Sequence, residues 1–173
     1  MKTLVVYYSK TGFTRQYAQW LAEDLGAECV AYEKCKGIKL DGYDAIAFGG
    51  RLHAGVICGA KWFFKRAAGL EGKRLALFFT GATPPGDKVV EAAVRQNMPP
   101  ELRGRIPAFY LWAGLNYEKM GAVDRIMMAM LRKMLAAKKG PSPEEQEMAR
   151  MVAGSYDKVD RGYLREVEAY LRG

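Results

Sequence analysis

Apolar and polar positions along the chain alternate between two periods. Leu4, Val5, Val6, Tyr7 and Tyr8 form an unbroken run of aliphatic, β-branched and aromatic residues, the pattern of a strand covered on both faces. Apolar or small side chains then return at Tyr17, Ala18, Leu21, Ala22 and Leu25, which is helical spacing. The alternation continues with a short strand over 28–32, a polar connection over 34–43, and a third strand over 45–48 that Gly49-Gly50 closes. Trp62, Phe63 and Phe64 begin a short helix that Gly69 terminates. A fourth strand spans 74–80, a helix 87–96 and a fifth strand 106–111. A long methionine-rich helix covers 122–138, Gly140-Pro141-Ser142-Pro143 breaks it, and a closing helix runs over 161–171. Alternating elements of this kind predict an α/β fold: a doubly wound, five-stranded parallel sheet with helices on both faces. At 173 residues the expectation is a single domain over 1–173, with a basic, Met-rich helical segment at about 117–139.

The first strand and first helix are joined by Ser9-Lys10-Thr11-Gly12-Phe13-Thr14. Hydroxyls and a glycine at a strand-to-helix turn favour an anion, because the first N–H groups of a helix lack partners and carry the positive end of its dipole. Gly12 lets the backbone approach a ligand closely. No acidic residue occurs before Glu23, so nothing there repels a phosphate. Simple capping by Thr11 or Thr14 needs one hydroxyl, and this turn has three. The spacing of a P-loop, G-x-x-x-x-G-K-[ST], is absent, as is the G-x-G-x-x-G of a dinucleotide fold.

Composition narrows the rest. No 18-residue apolar run is present, which excludes a transmembrane helix, and the N-terminus enters a strand with no signal-peptide pattern, so a cytoplasmic location is expected. Cys29, Cys35 and Cys58 contain no C-x-x-C pair and, with the single His53, make no metal set. A cysteine-phosphatase loop fails as well: the positions where its arginine would stand hold Cys35, Asp41 and Phe64. The net charge of +8 is uneven, +1 over residues 1–57, +5 over 58–116, +4 over 117–139 and −2 over 140–173. No motif accompanies that charge to suggest nucleic-acid binding.

The pattern S-x-T-G-x-T after a hydrophobic strand resembles the flavodoxin family, in which this turn holds the 5′-phosphate of FMN and the strand order is 2-1-3-4-5. The opening M-K-T-L-V-V-Y-Y-S, the run P-A-F-Y-L-W-A-G-L-N-Y from Pro107 and the later V-D-R-I-M-M-A-M-L-R-K-M are similar to flavodoxin-type, menaquinone-dependent protoporphyrinogen oxidases. The resemblance implies FMN as cofactor, held by Ser9, Lys10, Thr11, Gly12, Phe13 and Thr14 at the phosphate. Gly50, Arg51, Leu52, His53 and Ala54, together with Thr80, Gly81, Ala82 and Thr83, then flank the isoalloxazine ring. It also implies a redox partner or quinone, a possible porphyrinogen substrate and a peripheral contact with the inner face of a membrane. The alternative is a flavodoxin-type electron-transfer protein without a substrate of its own. No side chain stands out as a general base or nucleophile, so the chemistry falls to the flavin. Neither ring-side loop offers a stacking Trp or Tyr, a departure from many flavodoxins.

Two features remain open at this level. Arg51 and His53 either lie beside the flavin and favour its reduced anion, which predicts a cofactor that cycles by two electrons, or point to solvent. In the helix over 122–138, Ile126, Met127, Met130, Leu131, Met134 and Leu135 form a stripe with Asp124, Arg125, Arg132, Lys133 and Lys138 around it. That stripe either packs on the sheet or meets anionic lipid or a quinone pocket. Arg103 and Arg105 stand near enough in sequence to extend a basic face.

Overall fold

The computed structural model describes Met1–Gly173. In chain order the elements are β1 (Thr3–Tyr7), α1 (Phe13–Leu25), β2 (Glu28–Ala31), β3 (Ala45–His53), β4 (Val56–Ile57), α2 (Ala60–Ala67), β5 (Arg74–Gly81), α3 (Lys88–Asn97), β6 (Ala108–Trp112), β7 (Gly114–Leu115), α4 (Ala122–Ala137), α5 (Pro143–Met151), β8 (Tyr156–Asp157) and α6 (Arg165–Arg172). They fall into two compact units, one made of Met1–Ala113 with Val159–Gly173, the other of Gly114–Lys158.

In the first unit five parallel strands lie in the order β2-β1-β3-β5-β6, the expected 2-1-3-4-5 arrangement. The two-residue period of the strands divides the core. Leu4, Val6, Ile46, Phe48, Leu75, Leu77 and Phe79 point to one face, where Phe63 and Phe64 of α2 and Ala93 of α3 cover them. Val5, Ala45, Ala47, Ala76 and Phe78 point to the other, against Tyr17 and Leu21 of α1 and Val167 and Leu171 of α6. The small alanines on that second face leave room for the bulky helical residues that pack on it. At the sheet edge Tyr43 donates a hydrogen bond to the Glu28 carboxylate (2.5 Å), which together with burial pushes the phenol up to about 12.

β3 does not stop at Gly49-Gly50 as its glycines suggest. It continues to His53 and turns back through Ala54 and Gly55 into β4, pairing Leu52 with Ile57 and His53 with Val56. The glycines are there for closeness, not for a turn: a Cβ on Gly49 would lie 2.2 Å from Cζ of Phe78, its cross-strand partner. On Gly50 it would lie 2.8 Å from the Cys58 carbonyl oxygen. Helix α2 ends at Ala67, just short of the glycine expected to stop it, and the closing helix begins with a 3-10 turn at Arg161–Leu164.

The second unit holds a small antiparallel ribbon of β7 and β8 together with helices α4 and α5. Ser142 opens α5 with a reciprocal capping box to Glu145, a helix that follows directly on the break expected over 140–143 and that the sequence pattern does not assign. The Arg125 guanidinium donates to the carbonyls of Tyr117 and Glu118, and that of Arg132 lies 5.1 Å from the Tyr117 ring centroid. The methionine stripe of α4 is not a core face. Ile126, Met130 and Met134 are 61%, 66% and 64% exposed, while the half-buried Met128, Leu131 and Leu135 and the buried Asp124 lie on the other side of the helix.

Candidate functional site

Because β1, β3 and β5 are adjacent and parallel, the segments leaving their C-terminal ends meet at one edge of the sheet, where open α/β sheets take ligands. The first is Tyr8–Gly12. The Tyr8 N–H donates to the Gly49 carbonyl (2.8 Å), extending the β1–β3 register into the turn. Gly12 then caps α1 with φ +105°, a conformation that L side chains rarely adopt, and no side chain caps the helix. The first backbone bond of α1 is Gln16 N–H to the Gly12 carbonyl (3.0 Å), so the N–H groups of residues 13–15 have no acceptor within the helix. In the same turn the Ser9 hydroxyl is buried and has no hydrogen-bond partner. A buried hydroxyl left unpaired costs about 1–3 kcal/mol, and an anion seated on the helix start removes that cost. Lys10 and Arg15 are exposed at the rim, and Thr11 and Phe13 are half-buried.

Thr14 behaves differently from its neighbours. It is 2% exposed, and its hydroxyl shares a 2.8 Å hydrogen bond with that of Thr80, itself 3% exposed at the end of β5. One side-chain bond therefore joins the first predicted loop to the third.

The second segment is the β3–β4 hairpin. Ala54 (φ +48°) and Gly55 (φ +79°) both take positive φ, as a two-residue type I′ turn requires. Asn97, the last residue of α3, fixes the hairpin: its Nδ2 donates to the Gly55 carbonyl (2.7 Å) and its Oδ1 accepts from the Ile57 N–H (3.0 Å). Leu52 packs against the core, and Gly50 is buried in the strand. Arg51 and His53 are half-buried, so neither is a freely solvated loop residue. Ala54 is exposed.

The third segment follows Thr80. The Trp112 indole N–H donates to the Ala82 carbonyl (3.0 Å) and the Tyr110 hydroxyl to that of Thr83. A Cβ on Gly81 would come within 2.9 Å of that hydroxyl, which accounts for the glycine. Gly81, Ala82 and Thr83 are thus held from β6 by two aromatic side chains.

The structure therefore gathers all three predicted segments at one sheet edge. Asn97, Tyr110 and Trp112, which shape two of them, escaped the sequence reading. The Ala54-Gly55 pair between apolar dipeptides is a legible hairpin signal, whereas nothing in the sequence marks Asn97.

A family profile described as Flavodoxin domain matches residues 4–142. No curated protein matches the chain. Among solved structures, the Trp repressor binding protein from Bacillus subtilis aligns at a TM-score of 0.51 with 15% identity, covering 82% of this chain and 100% of that one, and shares the fold. A flavoprotein in complex with FMN from Lactobacillus acidophilus aligns at 0.46 with 17% identity over 64% of this chain and 91% of that one. A flavodoxin, WrbA-like protein from Agrobacterium tumefaciens aligns at 0.43 with 21% identity, over 87% and 94%.

Proposed function

Because the chain belongs to the flavodoxin domain family, we propose that it binds FMN and works as a flavodoxin-type electron-transfer protein. The observation that carries this reading is a turn that holds both a buried, partnerless Ser9 hydroxyl and the uncapped start of α1. A flavin 5′-phosphate is a dianion whose oxygens accept hydrogen bonds, the complement of that set of donors. Ser9, Thr11 and the N–H groups at Gly12–Thr14 hold the phosphate, with Lys10 adding charge from the rim. Residues 50–54 and 80–83 bound the ring. Bound flavin supplies the redox chemistry, and the chain's own residues position it and exclude water. Arg51 and His53 add hydrogen-bond donors near the ring, a setting that favours a negatively charged reduced cofactor.

Reconstitution tests this reading. The protein should take up FMN in a one-to-one ratio and bind riboflavin, which lacks the phosphate, at least about tenfold more weakly for each charge-assisted hydrogen bond lost. Reduced holoprotein should pass electrons to a soluble one-electron acceptor without consuming an organic substrate. Equal affinity for FMN and riboflavin would remove the assignment of residues 9–14.

The chain's +8 charge favours a second, narrower reading. An anionic substrate carrying carboxylates, such as a porphyrinogen oxidised with a quinone as acceptor, suits that charge. Turnover of protoporphyrinogen with menaquinone by the holoprotein supports this reading, and its absence leaves the electron-transfer reading in place.

A further inference from the structure

Helix α2 buries one side and leaves the other charged. Ala60, Phe63, Phe64 and Ala67 are buried, while Lys61, Lys65 and Arg66 are exposed and Trp62 is half-buried. Positions 61 and 65, like 62 and 66, are about one helical turn apart, so these four residues share a face. The Arg66 guanidinium lies over the Trp62 ring, 5.6 Å from its centroid. Tyr32, just past the end of β2, meets Trp62 edge-on with centroids 5.6 Å apart, and meets Tyr8 in the same way at 5.6 Å. Tyr8 directly precedes Ser9, so this half-buried aromatic row joins the α2 face to the sheet edge that carries the phosphate turn. Lys34 and Lys36, both exposed, follow shortly after Tyr32.

Five basic side chains, Lys34, Lys36, Lys61, Lys65 and Arg66, thus flank the row, against one carboxylate, Glu33. None of the five takes part in an ion pair. Asp41 and Glu71, the next acids along the chain, precede the starts of β3 and β5, at the opposite end of the strands. A cluster of one sign that nothing neutralises draws a partner of the other sign. The apolar part of the face decides what kind of partner. No large hydrophobic side chain is exposed on it, so it offers nothing to insert into a bilayer. The rings of Tyr32 and Trp62 are half-buried and engaged with each other, with Phe48 and with Arg66, unlike the open platforms on which bases stack. A charged rim around a small aromatic patch fits the low-area, rapidly exchanging contact of an electron-transfer encounter between proteins.

We propose that the exposed face of α2, with Lys61 and Lys65 at its centre, docks an acidic one-electron redox protein. What crosses the contact rests on the flavin reading: the reduced flavin gives up one electron, and the partner's oxidised centre takes it. The docking itself requires only the charges.

The test uses cytochrome b5, an acidic haem protein that accepts one electron, with the basic cytochrome c beside it. Surface plasmon resonance of the full chain over immobilised cytochrome b5, with and without FMN, reads the face alone. The rate at which reduced holoprotein reduces the same cytochrome reads the transfer. Both should weaken as salt rises, whereas reduction of cytochrome c should not slow. Lys61→Glu with Lys65→Glu should lower binding and rate at least about tenfold and leave FMN uptake unchanged. Lys133→Glu with Lys139→Glu, which changes the net charge equally, should keep both near the parent's values. All four side chains are exposed, so circular dichroism should show both variants folded. Equal losses in the two variants overturn the proposal, because net charge alone then explains them. So does a holoprotein that takes up FMN but whose contact with cytochrome b5 ignores salt or the Lys61 and Lys65 substitutions. A Lys61 and Lys65 variant that loses binding to a single-stranded oligonucleotide, but not to cytochrome b5, overturns it in favour of nucleic acid. A chain that binds cytochrome b5 through this pair yet takes up no FMN supports the docking face and removes the flavin reading instead.

Discussion

Thr14 and Thr80 stand 66 positions apart in the chain, yet their hydroxyls meet at 2.8 Å in the interior, joining the start of α1 to the end of β5. Replacing either with valine keeps the shape and leaves the other hydroxyl buried without that partner. Thr80→Val should cost about 1–3 kcal/mol in urea unfolding. The double variant Thr14→Val with Thr80→Val should cost less than the sum of the singles, because removing both partners leaves nothing stranded. Thr80→Val should also weaken FMN binding, although Thr80 is not among the phosphate donors, because it fixes the position of Thr14.

Gly49 tests the correction to β3. A methyl group there collides with the Phe78 ring, so Gly49→Ala should destabilise the protein by about 1–3 kcal/mol through overpacking. Phe78→Leu introduced into that variant should restore part of the loss, although by itself it leaves a cavity and destabilises. Were the strand to end before the glycine, the two substitutions would simply add.

Ala54 is the only non-glycine residue with positive φ. Asparagine tolerates that conformation better, and it is the residue type preferred at the first position of a type I′ turn before glycine. Ala54→Asn should therefore raise stability, by roughly 0.5–1 kcal/mol, and Ala54→Val should lower it. Thermal unfolding of the two variants against the parent decides the point.

Tyr43 carries a pH dependence of defined sign. Its phenol is held up at about 12, against 10.0 ordinarily, first by the hydrogen bond to the Glu28 carboxylate and then by burial. The folded form therefore keeps its proton where the unfolded chain has lost it. The stabilisation is complete below pH 10 and disappears as pH rises through 12. Tyr43→Phe should be less stable at neutral pH by about 1 kcal/mol. Its deficit should vanish across that alkaline window, as followed by urea unfolding at successive pH values.

The architecture was legible because period-two and helical patterns alternate cleanly, and because the apolar runs at Leu4–Tyr8 and Leu75–Phe79 leave little choice of element. The phosphate turn was legible for a similar reason: three hydroxyls and Gly12 at a strand-to-helix junction carry a local physical meaning. The end of β3 was not, since a glycine required by the Phe78 ring across the sheet looks the same in sequence as one required by a turn. Nor was the outward direction of the α4 methionines. Helical spacing gives a stripe, while burial depends on what packs against it, and here Leu131 and Leu135 take the inner side. Asn97 and Trp112 act on loops 42 and 30 residues away through backbone carbonyls, contacts that local pattern does not encode.

The most direct test of the central claim is the visible absorbance of the purified protein titrated with FMN, for the parent and for Ser9→Asp. The parent should develop the perturbed spectrum of protein-bound oxidised flavin with saturation at one equivalent. Ser9→Asp places a carboxylate where the phosphate is expected and should lose at least about 100-fold in affinity while remaining folded, since juxtaposed like charges in a partly buried site repel by several kcal/mol. A parent that binds no FMN, or a Ser9→Asp variant that binds it equally well, would contradict the assignment of the Ser9–Thr14 turn as the phosphate site.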